Sequence, residues 1–466
     1  MINQRSSIRS VLHHEIEARG YTLHSLSNLT GINRGTLSSI LNGNPPKPIS
    51  IGQLDLMTEA LELPTGALYP LFVDECIEKD QLNRRRLKSF LLRCAELGEM
   101  DCINRVLEKM LEDLNYVPTI FAIGEQLYEE GYKEASLAFY KAVIESEKYQ
   151  HSERLAISQY RLFRLSLGED TEKNIQAAIR FEPYRNRLPE GYHLDGLLNL
   201  ANVYYTHEKW NVVEVFADEL LSLSQMVYRS QNNMKVTNED QLLSLERHLV
   251  VYYGQGYLLK GAALEFQGKY IEAQQCIKGY SDLSWFEGLD EIGYKEVRKF
   301  NIWAKANWYN IELLCGNKHV LPEYIEFLKN YPFEILPSMT TIVKAANIHS
   351  FSVDDCLQEF QIDHQLFNQI NNYYVSLVNK NHYLELCYYL GIYCMKKKDY
   401  AKALSNILSS LRFAVSLNNK DYFMKNVALF EHHRYLASND QLLEYDFLMK
   451  EVLEGEEVDL GICAHC

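Results

Sequence analysis

The sequence predicts an all-α protein, and three observations carry that prediction. Glycine (23) and proline (11) are sparse across 466 residues while tyrosine reaches 32, so helix breakers are few and large helix-compatible side chains are many. Apolar residues recur at helical spacing from the first segment onward, as at Ile8, Val11, Leu12 and Ile16. Four separated windows repeat one arrangement of small and aromatic residues, the mark of stacked helix pairs. Hydrophobic residues at 47% and charged residues at 23% fit a chain with a packed core.

Residues 6–70 read as five short helices, a first domain over 1–71. Ser7 to Arg19 stops at Gly20, and Thr22 then caps Leu23 to Leu29, which Gly31 breaks. Asn33 caps Arg34 to Leu41, ended by Asn42-Gly43. After the loop Asn44-Pro45-Pro46-Lys47-Pro48, Ser50 caps Ile51 to Leu61, and Thr65 to Leu71 closes the unit. Two short helices joined through a glycine are the geometry of a helix-turn-helix. The run Gly20-Tyr21-Thr22-Leu23-His24-Ser25-Leu26-Ser27 through Gly31-Ile32-Asn33-Arg34-Gly35-Thr36-Leu37-Ser38-Ser39-Ile40-Leu41-Asn42-Gly43 resembles the lambda-repressor-like (XRE) DNA-binding domain.

That resemblance aligns Leu26, Ile32, Leu37 and Ile40 with the family's buried positions and leaves Asn33, Arg34, Gly35, Ser38, Ser39 and Asn42 on the solvent side. It implies that the second helix enters the major groove N-terminus first, so Asn33, Arg34 and Ser38 reach base edges, Arg34 suiting guanine and Asn33 adenine. Helix N-termini at Thr22 and Asn33 can take phosphates. Two positions depart from the family pattern: Leu23 stands where a glutamine is common and Leu41 where an acid is usual. The alternative is a domain kept for protein contacts.

Charge is uneven. Five Lys/Arg and five Asp/Glu make residues 1–70 neutral, so the remaining chain carries all of the net charge of -15. A neutral head implies modest affinity per head and favours a dimer on paired half-sites of double-stranded DNA, while the acidic body repels phosphate and suits a neutral or cationic ligand. Residues 72–115 read as a helical connector. Its cationic run Arg84-Arg85-Arg86-Leu87-Lys88, with Arg93, is either added phosphate contact or a solvated face paired with Glu75, Glu78 and Asp80, the plainer reading.

The body, residues 116–455, carries the repeats. Gly261, Leu264, Gly268, Tyr270, Ala273, Ile277 and Tyr280 form one window, and Gly391, Cys394, Tyr400, Ala403 and Ile407 repeat its offsets. Ala201, Tyr204, Trp210, Val213, Ala217 and Leu220 form a third, and Gly124, Leu127, Gly131, Ala135, Phe139 and Ala142 a fourth that reads one residue short. Less regular pairs lie near 155–180, 303–330 and 355–380. These windows resemble tetratricopeptide (TPR) repeats, which implies a right-handed α-superhelix with the first helix of each pair lining a concave groove suited to an extended peptide. Asn199 and Asn202 share one face of such a helix, with Tyr205 a turn further on. Asn307 and Asn310 repeat that spacing, and Tyr128, Arg161, Glu265 and Tyr388 fall near groove-facing positions. Side-chain amides both donate and accept, so they can hold a peptide backbone without reading its sequence.

A lambda-repressor-like head before a TPR-like body resembles the RRNPP family of peptide-sensing transcription regulators. The resemblance implies a cytoplasmic homodimer that binds a short imported signalling peptide and changes its grip on an operator, with asparagines of inner helices against the peptide backbone. The sign of that change, and the choice between a chromosomal quorum-sensing regulator and a phage receptor, stay open. A second reading is a TPR adaptor for a partner protein, with a degenerate helix-turn-helix.

An enzyme is the weakest reading, since no Gly-rich phosphate loop, HExxH or nucleophile elbow occurs. No catalytic residue, metal or cofactor is expected. His13-His14 and His432-His433 are neighbours pointing about 100° apart on a helix. No apolar run nears the ~18 residues that cross a membrane, and Met1 to Ser7 holds no signal-peptide core. Eight of the ten cysteines are scattered, among them Cys276, Cys315, Cys387 and Cys394, and read as reduced buried thiols. The tail Cys463-Ala464-His465-Cys466 from 456 onward reads as a frayed end.

Overall fold

A computed structural model describes residues 7–77, 84–234, 245–360 and 377–459. The described residues form helices joined by turns and short loops, and they contain no strand. The chain divides into two compact units, Met1–Leu165 and Ser166–Cys466.

In the first unit, α1 (Ile8–Ala18), α2 (Leu23–Thr30), α3 (Arg34–Asn42) and α4 (Ile51–Ala60) follow the predicted starts closely, and α5 (Tyr69–Ile77) comes next. The caps form as the side chains dictate. Thr22 and Ser50 each close a reciprocal capping box, with Ser25 and Gln53, and Asn33 Oδ1 accepts the Gly35 N–H at 2.8 Å. Gly20 and Gly31 take the left-handed conformation their helix ends need, at φ 65° and 69°. The fifth helix differs from expectation: it starts at Tyr69 rather than Thr65 and runs to Ile77. Pro64 and Gly66 (φ 83°) hold 64–69 in successive turns, Ala67 N–H bonding Pro64 O and Tyr69 N–H bonding Gly66 O.

Then come α6 (Arg84–Leu97), α7 (Met100–Met110), α8 (Val117–Glu129), α9 (Lys133–Glu147) and α10 (Glu153–Ser166). One hydrophobic core runs without a break from Ile8 and Leu12 through Phe72, Phe90 and Val106 to Phe139 and Val143. Phe90 of α6 packs edge-on against both Tyr69 (5.4 Å) and Phe72 (4.9 Å) of α5. Arg93 bonds Asp55 at 2.9 Å while Tyr69 Oη donates to the other Asp55 oxygen at 2.7 Å, tying α4, α5 and α6 together.

The second unit contains α11 (Thr171–Phe181), α12 (Glu190–Thr206), α13 (Trp210–Met234), α14 (Leu249–Phe266), α15 (Tyr270–Tyr280), α16 (Glu291–Leu314), α17 (Leu321–Asn330) and α18 (Ile335–His349). It continues with α19 (Asp354–Glu359), α20 (Leu377–Lys396), α21 (Tyr400–Ser416), α22 (Lys420–His432) and α23 (Asn439–Asp459). Packing follows chain order, α12 on α13, α13 on α14, and so on through α15, α16, α18, α20, α21 and α22.

The four sequence windows become four equivalent turns. Each first helix ends in a left-handed residue: Gly131 (φ 89°), Glu208 (53°), Gly268 (75°) and Lys398 (62°). The next N–H reaches back five residues, from Tyr132 to Leu127 (2.8 Å), Lys209 to Tyr204 (3.0 Å), Lys269 to Leu264 (2.8 Å) and Asp399 to Cys394 (3.0 Å). This double-bonded helix end satisfies carbonyls that would otherwise lack partners. In three of the four windows the small residue of the first helix is a glycine lying directly against the second helix. A Cβ on Gly124 would stand 2.9 Å from Phe139 Cβ, on Gly261 3.1 Å from Cys276 Cβ, and on Gly391 2.4 Å from Ile407 Cδ1. The fourth window is not short. Its turn has the same length as the others, and Ser136, fully buried and bonded through its hydroxyl to Lys133 O, takes the place that Ala273 and Ala403 hold elsewhere.

The second unit also meets itself end to end. Thr171 at the start of α11 donates its N–H to Leu417 O and its hydroxyl to Asn418 O, both at 3.0 Å. Asn418 returns a bond to Asp170 Oδ1 (3.2 Å), Lys420 pairs with Glu172 (3.1 Å), and Lys425 chelates Glu208 at 3.1 and 2.9 Å. The chain of packed helices from α11 to α22 is therefore closed by a polar seam.

Candidate functional site

The residues that the sequence singles out fall on the face of α3, in a buried cluster of the first unit and in the interior of the second. On α3, Arg34, Ser39 and Asn42 are exposed and Ser38 is half-buried, while Leu37, Ile40 and Leu41 face inward. Thr22 and Asn33 are exposed at the starts of α2 and α3, both engaged as caps. Ser39 Oγ bonds Gly35 O within the helix. Arg34 has no ion pair or hydrogen bond among the described residues, unlike the other described arginines of residues 1–70. Arg9 is spent as a clip: it bonds Ile40 O (2.9 Å), Lys47 O (3.2 Å) and Glu75 (3.0 Å), holding the end of α3 against α1 and α5. Arg19 pairs with Glu15.

Sequence reasoning passes over Lys47. Its N–H bonds Ser39 O at 2.9 Å, which fixes the exposed lysine beside α3 as a second cation of that face. The only signal is a lysine alone in a proline-rich loop, with nothing to show that the loop folds back. The cationic run of the connector takes its plainer role at Arg86, which pairs with Glu75 at 3.1 Å, and Arg93 is held by Asp55 and Glu96. Glu78 and Asp80 lie outside the described residues, as do the side chains of Arg84 and Arg85.

In the first unit, Tyr128 and Arg161 are drawn into one buried cluster. The Arg161 guanidinium lies 4.0 Å over the Tyr128 ring and makes a two-pronged bond to Glu125 (3.0 and 2.9 Å), whose Oε1 also accepts the Tyr140 hydroxyl. Burial and Glu125 push the Tyr140 phenol well up, keeping it a donor. Arg161 is 6% exposed and its fork is filled, so it holds α8, α9 and α10 together.

In the second unit, side chains from the first helix of successive pairs face one interior. Tyr205 (α12) sits edge-on to Trp210 (5.2 Å), which stacks on Phe266 of α14 at 4.0 Å and 5°. The Lys344 ammonium (α18) lies 4.2 Å over the Phe266 ring and 6.0 Å from Tyr389 of α20. Tyr388 packs on Tyr389 and on Tyr422 of α22. Burial raises the Tyr205 phenol, and Glu385, Glu265 and Glu208 all add to the shift, which places residues far apart in the chain around one centre. Burial pushes Glu265 up to about 7 against the pull of Lys344. Burial, then Glu208, push Glu385 up to about 7 against Lys344 and Lys425. Burial alone lowers His382 to about 4. Glu208, Glu265 and Glu385 are all partly exposed.

The paired asparagines behave differently from one another. Asn202 is exposed and its amide makes no bond among the described residues, whereas Asn199 gives its Nδ2 to Asp195 O and Oδ2, both at 2.7 Å. Asn307 and Asn310 are consumed internally: Asn307 donates to Tyr280 Oη (2.9 Å), Asn310 donates to Asn307 (3.4 Å) and accepts from Tyr324 (2.9 Å). Asn310 is 7% exposed and belongs to packing rather than to a ligand surface.

Sequence reasoning misses Glu385, Lys344 and Glu208. Single charged residues inside otherwise apolar stretches, Leu384-Glu385-Leu386 and Val343-Lys344-Ala345, are the available signal. Among the described residues no three His, Cys, Asp or Glu side chains converge as metal ligands do, and no helix is long and apolar enough to cross a membrane. The Cys463, His465 and Cys466 tail lies outside the described residues. No protein-family model matches the chain, and no curated protein does.

Proposed function

We propose that the protein is a DNA-binding transcription regulator switched by a short peptide, with α1–α5 as a lambda-repressor-type helix-turn-helix head and the helix pairs from α8 onward as a TPR-like right-handed superhelix. The observation that carries this reading is Arg34. A cation is left unpaired on an otherwise neutral polar helix face, while neighbouring arginines are tied into the fold. An exposed, uncommitted guanidinium at a helix N-terminus is what reading a guanine edge requires. With Arg34 and Lys47 as the free cations of the face, one head neutralises few phosphates, so binding as a homodimer to paired half-sites follows.

The groove supplies the switch. Asn202 and the unpartnered groups around Tyr205 are available to an extended ligand. A peptide that binds one pitch of the helix stack better than another shifts the population and with it the spacing of two heads. The test is fluorescence anisotropy of the full chain on DNA upstream of its own gene, with and without peptides encoded by adjacent small reading frames. Specific, salt-sensitive binding that a peptide shifts supports the reading. Binding unaffected by Arg34→Ala and by every peptide overturns it in favour of a protein adaptor.

A further inference from the structure

The end of α3 is held by side chains of three other helices. Its last carbonyls lack partners within the helix itself. Arg9 Nε donates to Ile40 O at 2.9 Å and His13 Nε2 lies 3.3 Å from Leu41 O, so two side chains one turn apart on α1 cap α3. A cation is favourable there, at the negative end of the helix dipole. Arg9 then reaches onward, to Lys47 O at 3.2 Å and to both oxygens of Glu75 on α5, at 3.1 and 3.0 Å. Glu75 Oε1 takes a second arginine, Arg86 of α6, at 3.1 Å, and Arg86 rests 4.9 Å over the Phe72 ring. The lambda-repressor-like pattern has an acid at position 41, but Leu41 is 6% exposed and belongs to the core. The carboxylate serving this helix end comes instead from α5, and it is shared with α6, the first helix beyond the head.

We infer that Glu75 is a positioning residue for the DNA-facing side of the head, holding the end of α3 and the Lys47 loop through Arg9, and that Arg86 makes this hold depend on α6. The inference rests on the DNA-binding reading of the head and names a route by which the rest of the chain regulates it.

Lys47 is placed by two backbone bonds, its N–H to Ser39 O at 2.9 Å and its carbonyl from Arg9. The two-pronged pair between Arg9 and Glu75, with side chains only 20% and 13% exposed, fixes the orientation of that guanidinium. Without the carboxylate, Arg9 loses the charge that aims it, and the Lys47 loop loses its register with a phosphate backbone. Arg86 shares Glu75 Oε1 with Arg9, so a displacement of α6 reaches the Lys47 loop through one oxygen atom. Arg34, at the opposite end of α3, lies outside this clip, which makes phosphate contact and base reading separable.

The experiment follows Lys47 with and without DNA, in the full chain and its Glu75→Gln, Arg86→Gln and Lys47→Ala variants. Glutamine keeps the shape of Glu75 and one acceptor oxygen, which spares the fold. Amide exchange at Lys47 should speed about tenfold in Glu75→Gln and by less in Arg86→Gln, with α8 and α9 unchanged. Anisotropy on the DNA upstream of its own gene, from about 50 to about 200 mM salt, gives the slope of log affinity against log salt. Glu75→Gln should lower that slope by about 0.9 per head, as Lys47→Ala does, and the two together should lose no more. A general loss of stability speeds exchange everywhere and leaves the slope alone. An unchanged Lys47 amide in either variant overturns the inference. So does a parental slope in Glu75→Gln, or a slope that falls further in the double variant than in Lys47→Ala. A parent chain that binds no DNA specifically, while Glu75→Gln still frees the Lys47 amide, overturns the DNA-binding reading and the inference with it.

Discussion

Asn33 shows how one side chain can be asked for two roles at once. Its Oδ1 is engaged at the cap of α3, bonded to the Gly35 N–H at 2.8 Å, and a two-pronged contact to adenine needs the same oxygen. Sequence reasoning assigns Asn33 both roles, and the two compete. Asn33→Ala should then cost about 1 kcal/mol of stability by loss of the cap, read as a lower melting temperature. Arg34→Ala touches nothing inside the protein, so it should leave the melt unchanged and weaken specific DNA binding by roughly 1–3 kcal/mol, read by anisotropy. At this scale the sequence is partly legible. Cap residues announce themselves by type and place, and the Asn199/Asn202 spacing is visible. That Asp195, 1% exposed, claims the Asn199 amide is not, because burial of an aspartate one turn earlier leaves no mark in the pattern.

Helices and their turns are more legible, since the repeat offsets encode contacts directly. The glycines at 124, 261 and 391 are small for one reason, the approach of the next helix, and Gly391 is the tightest. Gly391→Ala should cost roughly 1–3 kcal/mol through overpacking against Ile407. Thermal melts of Gly391→Ala with and without Ile407→Val check this, the second change returning part of the loss. Lys398 is the converse case. It is exposed, non-glycine and left-handed at the turn where two sister repeats use glycine, so Lys398→Gly should raise stability by roughly 1 kcal/mol. What the offsets hide is the register of the first repeat. Ser136 is polar, and counting small apolar residues shifts the match to Ala135. The fifth helix is misplaced for a related reason: Thr65 looks like the start of a helix, but the left-handed Gly66 beside it forbids one there.

For the molecule as a whole, the head is packed on α6 and α7 rather than hung from them. Phe72 and Phe90 share a core that passes through both helices, so a fragment ending at residue 71 would leave Tyr69 without Phe90 and Asp55 without Arg93. Circular dichroism of residues 1–71 should show loose or absent folding, whereas residues 1–165 should melt cooperatively. Sequence alone suggests a separable head because charge and motif change near residue 71, while the core does not.

The seam between α11 and α22 has its own consequence, one of time. It consists of hydrogen bonds and ion pairs at Thr171, Asn418, Lys420 and Lys425, the kind of contact that opens locally far below the cost of global unfolding. Lys420→Ala/Lys425→Ala should speed amide exchange at the start of α11 with little change elsewhere. If the proposed peptide sits inside this circuit of helices, its release should follow the opening of the seam rather than the strength of its individual contacts, so Lys420→Ala/Lys425→Ala should shorten its residence time.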